Sequence, residues 1–171
     1  MVIAETSRLQ LAKVTLADAS FFVKLMNSPH WIKYIGDRNI KTVEDAKSHL
    51  KRTILKSYAD HGYGFYKVLL KKERNKCIGI CGLVKRKELE FTDIGFGFLP
   101  DHQGKGYGFE SSEAVLKLAE EELKLKTVAA ICMETNDNSV NLIKKLGMEF
   151  QKKVIPFDDG KELLLFAKKL D

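Results

Sequence analysis

The sequence predicts a single α+β domain: a mixed, mostly antiparallel twisted sheet flanked by helices on both faces. Residues 1–62 carry one alternating strand pattern and two helical stripes with capping signals. Residues 63–125 carry three strand-like runs, a glycine-rich loop and an amphipathic helix. Residues 126–171 carry an apolar run, a helix and a hairpin pattern. With 171 residues, 44% of them apolar, the chain is long enough for one domain with its own core.

The N-terminal third predicts a strand followed by helices. Thr6–Lys13 alternates between apolar and polar residues, as a half-buried strand does. Thr15–Asp18 and Thr42–Asp45 resemble capping boxes and predict helix starts, while Gly62 predicts a helix end. Trp31–Gly36 is expected to be a short apolar turn or helix. The apolar stripes of the two capped helices are Ala19, Phe22, Val23 and Met26, then Ala46, Leu50, Ile54 and Tyr58.

The rest of the chain alternates strands and helices. A meander of three strands is followed, after the glycine loop, by a helix beginning near Phe109. Thr127–Glu134 is a short apolar run, consistent with a buried central strand reached by a crossover. The meander strands are Tyr63–Leu70, Cys77–Val84 and Glu90–Leu99. A helix over Asn138–Leu146 and a terminal hairpin of Met148–Ile155 and Lys161–Lys168 complete the pattern.

Composition narrows the class of protein. No apolar run approaches the ~20 residues of a membrane span, and no secretory signal opens the chain, so we expect no membrane association and a cytoplasmic location. The cysteines, Cys77, Cys81 and Cys132, are expected to be reduced and structural, and no metal-ligand spacing is present. The net charge of +6 suits a polyanionic ligand, but no nucleic-acid motif accompanies it.

The stretch from Phe96 to Glu110 is expected to bind an anion. A strand ends near Pro100, and Gly104, Gly106 and Gly108 follow before the next helix. Free N–H groups and the dipole of a helix N-terminus attract phosphate. Glycine lets the backbone approach a bulky ligand. A plain solvent-exposed turn is the alternative for such a loop.

Two nucleotide-binding motifs do not fit this loop. Lys105 is followed by Gly106 rather than Ser or Thr, which excludes the phosphate loop of nucleotide triphosphatases. Phe109 stands where the dinucleotide fingerprint needs its last glycine. What fits is Gln103-x-x-Gly106-x-Gly108, which resembles the Q/R-x-x-G-x-G/A signature of the GNAT superfamily of acetyltransferases.

Further motifs in order along the chain resemble the same superfamily, and its branch of ribosomal-protein N-terminal (alanine) acetyltransferases. Thr6-x-Arg8-Leu-x-Leu11 resembles the opening strand of that branch, although Ala12 replaces its usual second arginine. The other matching segments are Cys77–Leu83, Asp93–Pro100, Gln103–Glu110, Asn136-x-x-Ser139 and Lys145-Leu-Gly147 with Met148 in place of phenylalanine.

The resemblance implies acetyl-CoA (coenzyme A) as co-substrate, with no metal. It implies that the strand before the glycine loop splays from its parallel neighbour and that the pantetheine arm binds its backbone, as an added strand would. The cofactor-binding residues implied are Phe98, Leu99, Gln103, Gly104, Lys105, Gly106, Tyr107, Gly108, Asn136 and Ser139. Gly95 and Gly97 would leave room on one face of the strand, for the ligand or for tight packing under a helix.

The resemblance also implies direct attack of an amine on the thioester, without an enzyme nucleophile. Asp93 is the general-base candidate, with an exposed carboxylate at a strand start as the equal alternative; water could also relay the proton. Ile143 replaces the general-acid tyrosine of many relatives. Ser139, or a water held by it, is then the remaining candidate for the general acid. Helix capping is the alternative role for Asn136 and Ser139. Glu88 and Glu90 are poorer base candidates, and Glu110 is expected to support the loop through local hydrogen bonding.

The expected function is N-acetylation of a primary amine, either a protein N-terminus or a small molecule. A CoA-binding sensor of the same fold without turnover is the alternative, and a basic nucleic-acid-binding domain has only the net charge in its favour. The acceptor pocket is expected between the N-terminal helices and the segments 31–36 and 61–65. A monomer and a homodimer are both compatible with the sequence. Its aromatic candidates are Trp31, Tyr34, Tyr63, Phe65 and Tyr66, although core packing would suit most of them equally.

Overall fold

The structure, a computed structural model, describes all 171 residues and contains one eight-stranded sheet with six α-helices. The strands are β1 (Val2–Glu5), β2 (Leu9–Lys13), β3 (Phe65–Leu70), β4 (Lys76–Val84), β5 (Asp93–Phe98), β6 (Thr127–Cys132), β7 (Glu149–Val154) and β8 (Leu163–Lys169). The helices are α1 (Ala19–Met26), α2 (Pro29–Tyr34), α3 (Val43–Arg52), α4 (Ile54–His61), α5 (Tyr107–Glu121) and α6 (Asp137–Lys145). No helix is long and apolar enough to cross a membrane.

The sheet is antiparallel except at its centre, as the sequence predicts. Its strand order is β1-β2-β3-β4-β5-β6-β8-β7, so β8 lies between β6 and β7. The parallel pair β5 and β6 meets in register only at Asp93 and Ala129, whereas β4 and β5 pair along their length. The two central strands therefore separate beyond Asp93 and leave a wedge-shaped gap in the sheet.

Two apolar clusters cover the two faces of the sheet. The larger joins the sheet to α5 and α6, and the smaller joins α1, α3 and α4 to the opposite face. Ile80 and Leu99 belong to the smaller cluster, while Phe98 belongs to the larger. Because side chains alternate along a strand, neighbouring residues of β4 and β5 contribute to different clusters.

Most element boundaries agree with the sequence, and the disagreements have local causes. Both capping boxes form, and Gly62 ends α4 in the left-handed conformation. The single helix expected between Thr42 and Gly62 is instead two helices, because the backbone of Thr53 leaves helical geometry (ψ −85°). Strand β1 was not expected. It is four residues long and pairs antiparallel with β2.

Tyr58 ties the helical layer to the sheet. Its hydroxyl accepts the Val14 N–H at 3.0 Å and donates to the Phe65 carbonyl, so one side chain of α4 bridges the chain after β2 and the start of β3. Burial raises the pKa of this phenol, which stays neutral and can serve as donor and acceptor together.

We predict that Tyr58→Phe lowers the free energy of unfolding by about 1–3 kcal/mol, because two backbone groups lose their partner. Urea denaturation measures the change. Tyr34→Phe is the matched control, since the Tyr34 hydroxyl makes only a 3.5 Å contact with the Thr135 carbonyl near the surface. Equal stability of the two variants would contradict this role for Tyr58.

Candidate active site

The gap between β5 and β6 exposes peptide groups of β5. The Leu99 N–H donates to Ile78 O on β4, and Thr92 O accepts the Ala129 N–H on β6. Because alternate residues direct their peptide groups to opposite edges of a strand, those of Phe96 and Phe98 point into the gap. An extended ligand could therefore pair with β5 where β6 no longer does.

The glycine loop beside the gap presents a row of free donors. Six consecutive backbone N–H groups, from Gly104 to Phe109, have no acceptor within the protein. Gly104 and Gly106 adopt positive φ angles of 72° and 83°, which glycine adopts without strain. Gly106 caps the 15-residue helix α5, so the dipole adds positive charge where these groups converge. The arrangement suits a phosphate group.

Arg8, the residue directly before β2, holds this loop in place. Its Nε donates to Glu110 Oε2 at 2.6 Å, its Nη1 donates to Lys105 O at 3.0 Å, and its guanidinium lies 4.5 Å from the centre of the Tyr107 ring. Thr6 also donates to Glu110. Burial raises the pKa of Glu110, but the hydrogen bonds from Thr6 and Arg8 outweigh it and lower the pKa overall. Glu110 thus supports the loop through Thr6 and Arg8, which are distant in sequence, and not through the local hydrogen bonds expected.

Two residues expected to contact the cofactor have other partners in the structure. The Leu99 N–H donates to Ile78 O, and the Leu99 carbonyl accepts from the His102 N–H. The Leu99 backbone was expected to bind the pantetheine arm, but both of its peptide groups already have partners within the chain. The Gln103 side chain donates to Phe98 O at 3.0 Å. Gln103 therefore braces the loop against β5. The Phe98 N–H remains directed into the gap, and Phe96 joins it as a residue that the sequence did not indicate.

Asn136 and Ser139 lie where β6 ends and α6 begins. Asn136 is 7% exposed, and its side chain accepts the Ser139 N–H at 3.4 Å. This is the capping arrangement that the sequence left open as an alternative. It uses only the backbone of Ser139, so the Ser139 hydroxyl is half-buried and without a partner in the chain, on the wall of the cleft.

Asp93 stands at the last point where β5 and β6 pair. It is 1% exposed, and Oδ1 accepts from Arg86 Nε at 3.0 Å. Burial raises the pKa of Asp93 to about 6, and the nearby Arg86 guanidinium opposes that rise. The carboxylate is thus buried and paired, and not the exposed strand-start group of the alternative interpretation. It still ionises near neutral pH.

A cleft of about 1480 Å³ runs from the glycine loop across the gap to the α2 and α4 side. Gly97 and Gly95 lie against its aromatic wall: a Cβ at Gly97 would fall 2.6 Å from the Trp31 ring, and one at Gly95 would fall 3.0 Å from Phe65. The room left by these glycines is thus filled by rings, which is the packing alternative. The buried Trp31 Nε1 has no acceptor.

The remaining candidates divide between cleft and core. Tyr34 also lines the cleft, whereas Tyr63 and Tyr66 are buried in the core. Cys132 lies on the cleft wall as a free thiol, and burial raises its pKa to about 11, so it is not a thiolate at neutral pH. No group of three or more His, Cys, Asp or Glu side chains is arranged to hold a metal ion.

One residue beside the loop was missed. His102 is 6% exposed, its Nε2 lies 3.1 Å from Glu73 Oε2, and its Nδ1 is buried without a partner. Its ring tilts against Tyr107 at 6.5 Å. No sequence signal marks this contact, because Glu73 lies in the distant turn between β3 and β4.

Comparisons with known proteins agree with this geometry. The sequence model of the acetyltransferase (GNAT) domain matches residues 8–149. The uncharacterized N-acetyltransferase YnaD of Bacillus subtilis (strain 168) is 29% identical over 154 residues, covering 88% of this chain and 86% of that protein.

Solved structures share the fold. The structure of an acetyltransferase (GNAT family) from Bacillus anthracis superposes with a TM-score of 0.78 at 26% identity, covering 98% of this chain and 97% of that one. RimL, a ribosomal L7/L12 alpha-N-protein acetyltransferase in complex with coenzyme A, superposes with a TM-score of 0.85 at 14% identity, covering 100% and 99%. A family match over most of the chain, together with the splayed sheet and the glycine loop, identifies the protein as an acetyltransferase of the GNAT family.

Proposed function

We propose that this acetyltransferase binds acetyl-CoA in the gap between β5 and β6 and transfers the acetyl group to a primary amine by direct attack. The observation that carries the proposal is the row of six unpartnered N–H groups, Gly104–Phe109, beside a strand edge that is also unpaired. A diphosphate joined to an extended amide chain needs both features in one site.

The loop and β5 would divide the binding of this co-substrate. The N–H groups of Gly104–Gly108 would bind the pyrophosphate, and Lys105 adds a cation. Within the protein, the Lys105 carbonyl already accepts a hydrogen bond from Arg8. The Phe96 peptide groups and the Phe98 N–H would pair with the pantetheine amides, since the Phe98 carbonyl already accepts from Gln103. The bound group supplies a thioester carbonyl, the electrophile of the reaction.

Asp93 is the general base of this proposal. With a pKa of about 6 it is mostly ionised at neutral pH, so it can accept a proton from the acceptor ammonium directly or through water. Its position at the mouth of the gap, on the same strand face as Gly95 and Gly97, favours this role over the more exposed Glu88.

The Ser139 hydroxyl, or a water that it holds, would donate a proton to the departing thiolate. This is supported by a hydroxyl without a partner on the cleft wall. Asn136 holds the first turn of α6, and with it the position of Ser139. A cytoplasmic location, where acetyl-CoA is available, is part of the same proposal.

Acetyl-CoA should raise the melting temperature of the protein, and Gly106→Trp should abolish this shift. A side chain at Gly106 would approach Arg8 Nη2 at 3.2 Å and cover the loop. Gly62→Trp is the matched control: φ is 78° at Gly62 against 83° at Gly106, so the backbone strain is comparable but lies away from the loop. Binding of acetyl-CoA is measured by calorimetry. No binding to the unaltered protein would refute the proposed function.

Asp93→Asn should lower kcat about 10²–10⁴-fold while acetyl-CoA still binds. Protonation removes the base, so kcat/KM of the unaltered enzyme should fall about tenfold per pH unit below the pKa of about 6, and the variant should lose this decline. Glu88→Gln serves as the control, since it removes a carboxylate of the same cleft. An unchanged acid limb in Asp93→Asn would exclude Asp93 as the base.

Ser139→Ala should lower kcat by about 10²-fold without weakening the cap of α6, because only the Ser139 backbone N–H bonds to Asn136. The comparison is Asn138→Ala, a neighbouring polar residue of the same helical turn and cleft wall. Thiol release measured in single turnovers reports the step. If both variants turn over at the rate of the parent protein, the acid is not Ser139.

A further inference from the structure

The acceptor half of the cleft contains one cation held in a fixed orientation. Arg86 follows β4 and lines the cleft, with its side chain 28% exposed. Its Nε donates to the buried Asp93 carboxylate at 3.0 Å, and its guanidinium carbon lies 5.4 Å from the centre of the Phe157 ring. A guanidinium fixed by both contacts keeps little of the freedom of a surface arginine.

Arg86 has more N–H donors than hydrogen-bond partners. A guanidinium carries five N–H donors, of which the structure engages only the one on Nε. The four on Nη1 and Nη2 have no acceptor in the chain. Two parallel N–H groups of this kind match the two oxygens of a carboxylate, and binding one needs no reorganisation here because Asp93 already fixes the plane.

The surrounding wall also favours an anion. Arg38 and Arg52 line the same cleft and neither forms an ion pair. Two of the acids on this wall are already neutralised, Asp37 by Lys41 and Asp60 by Lys56. Glu88, Asp158 and Asp159 remain unpaired, but none of them contacts the Arg86 guanidinium within salt-bridge distance.

We infer that Arg86 binds a carboxylate of the acceptor, so that the substrate is a primary amine with a carboxylate about two residues away. The inference rests on the proposed function, with the amine meeting the thioester in the open part of β5, near Gly95, and passing its proton to Asp93 through water. Gly95 lies two strand residues beyond Asp93, about 7 Å along β5. An extended dipeptide spans about the same length, whereas the two groups of a free α-amino acid are closer together.

Matched acceptors test this with the full-length enzyme and saturating acetyl-CoA. One pair is the Ala-Glu and Ala-Gln forms of a short peptide amide, and the other is Ala-Gly with a free or an amidated C-terminus. The unaltered enzyme should prefer the carboxylate member by at least about tenfold in kcat/KM, mainly through KM. Whichever pair shows the preference distinguishes a side-chain from a C-terminal carboxylate.

Arg86→Gln should abolish the preference, and Arg86→Lys should restore part of it. Because Asp93 loses its partner in these variants, kcat can change for every acceptor. Such a change affects both members of a matched pair equally, so the ratio of their kcat/KM values still reports the preference. Lys87→Gln removes the same charge from the next residue and should keep the preference. Acetyl-CoA affinity should stay unchanged throughout.

Equal rates for both members of each pair, or a preference that survives Arg86→Gln, would overturn the inference while leaving the acetyltransferase assignment intact. So would acetyl-CoA binding without acetylation of any of these four acceptors. Failure to bind acetyl-CoA at all is a different result, since it refutes the proposed function itself.

Discussion

The loss of pairing between β5 and β6 is the constraint on which the rest of the site depends. Buried peptide groups almost always have partners, yet the peptide groups of Phe96 and the N–H of Phe98 face a gap. The sheet can leave them unpaired only because the cleft is open to solvent. A ligand that replaces a strand there must be extended and must carry alternating donors and acceptors. Under the proposed function, the backbone of β5 therefore selects the shape of the acetyl-CoA molecule before any side chain contributes.

The glycine loop cannot hold its own conformation, and the N-terminal segment does this for it. Glycines are the most flexible residues, so a loop built on Gly104, Gly106 and Gly108 would lose much entropy on binding. Arg8 bonds to the Lys105 carbonyl and to Glu110, on either side of the last two glycines. Contacts from a segment about a hundred residues earlier thus order the donors in advance.

What the sequence could predict was mainly local. The two capping boxes and the Gly62 cap depend on residues within one turn, and motif spacing located the glycine loop. The GNAT fold and the splayed sheet were predicted by resemblance and are present. Strand β1 was missed because four residues at an edge carry little pattern. The break at Thr53 was missed because the apolar stripe continues through it.

Several contacts at the site involve partners that sequence patterns do not show. Leu99 was expected to bind the cofactor, but its peptide groups are taken by Ile78 and His102. The Gln103 side chain is taken by Phe98 O, although its place in the motif is correct. The pairing of Asp93 with Arg86 joins two loop-proximal residues whose approach depends on how the β4–β5 turn folds back. Each of these contacts is decided by tertiary geometry.

The position of β8 has a consequence for synthesis of the protein. Since β6 meets β5 at a single register position, its main partner is β8, which the ribosome makes after β7. During translation, β1 to β5 can pair as a meander while β6, the strand across the gap, still lacks its partner β8. Under the proposed function, the nascent chain should therefore acquire affinity for acetyl-CoA late and abruptly, when residues 163–169 leave the exit tunnel.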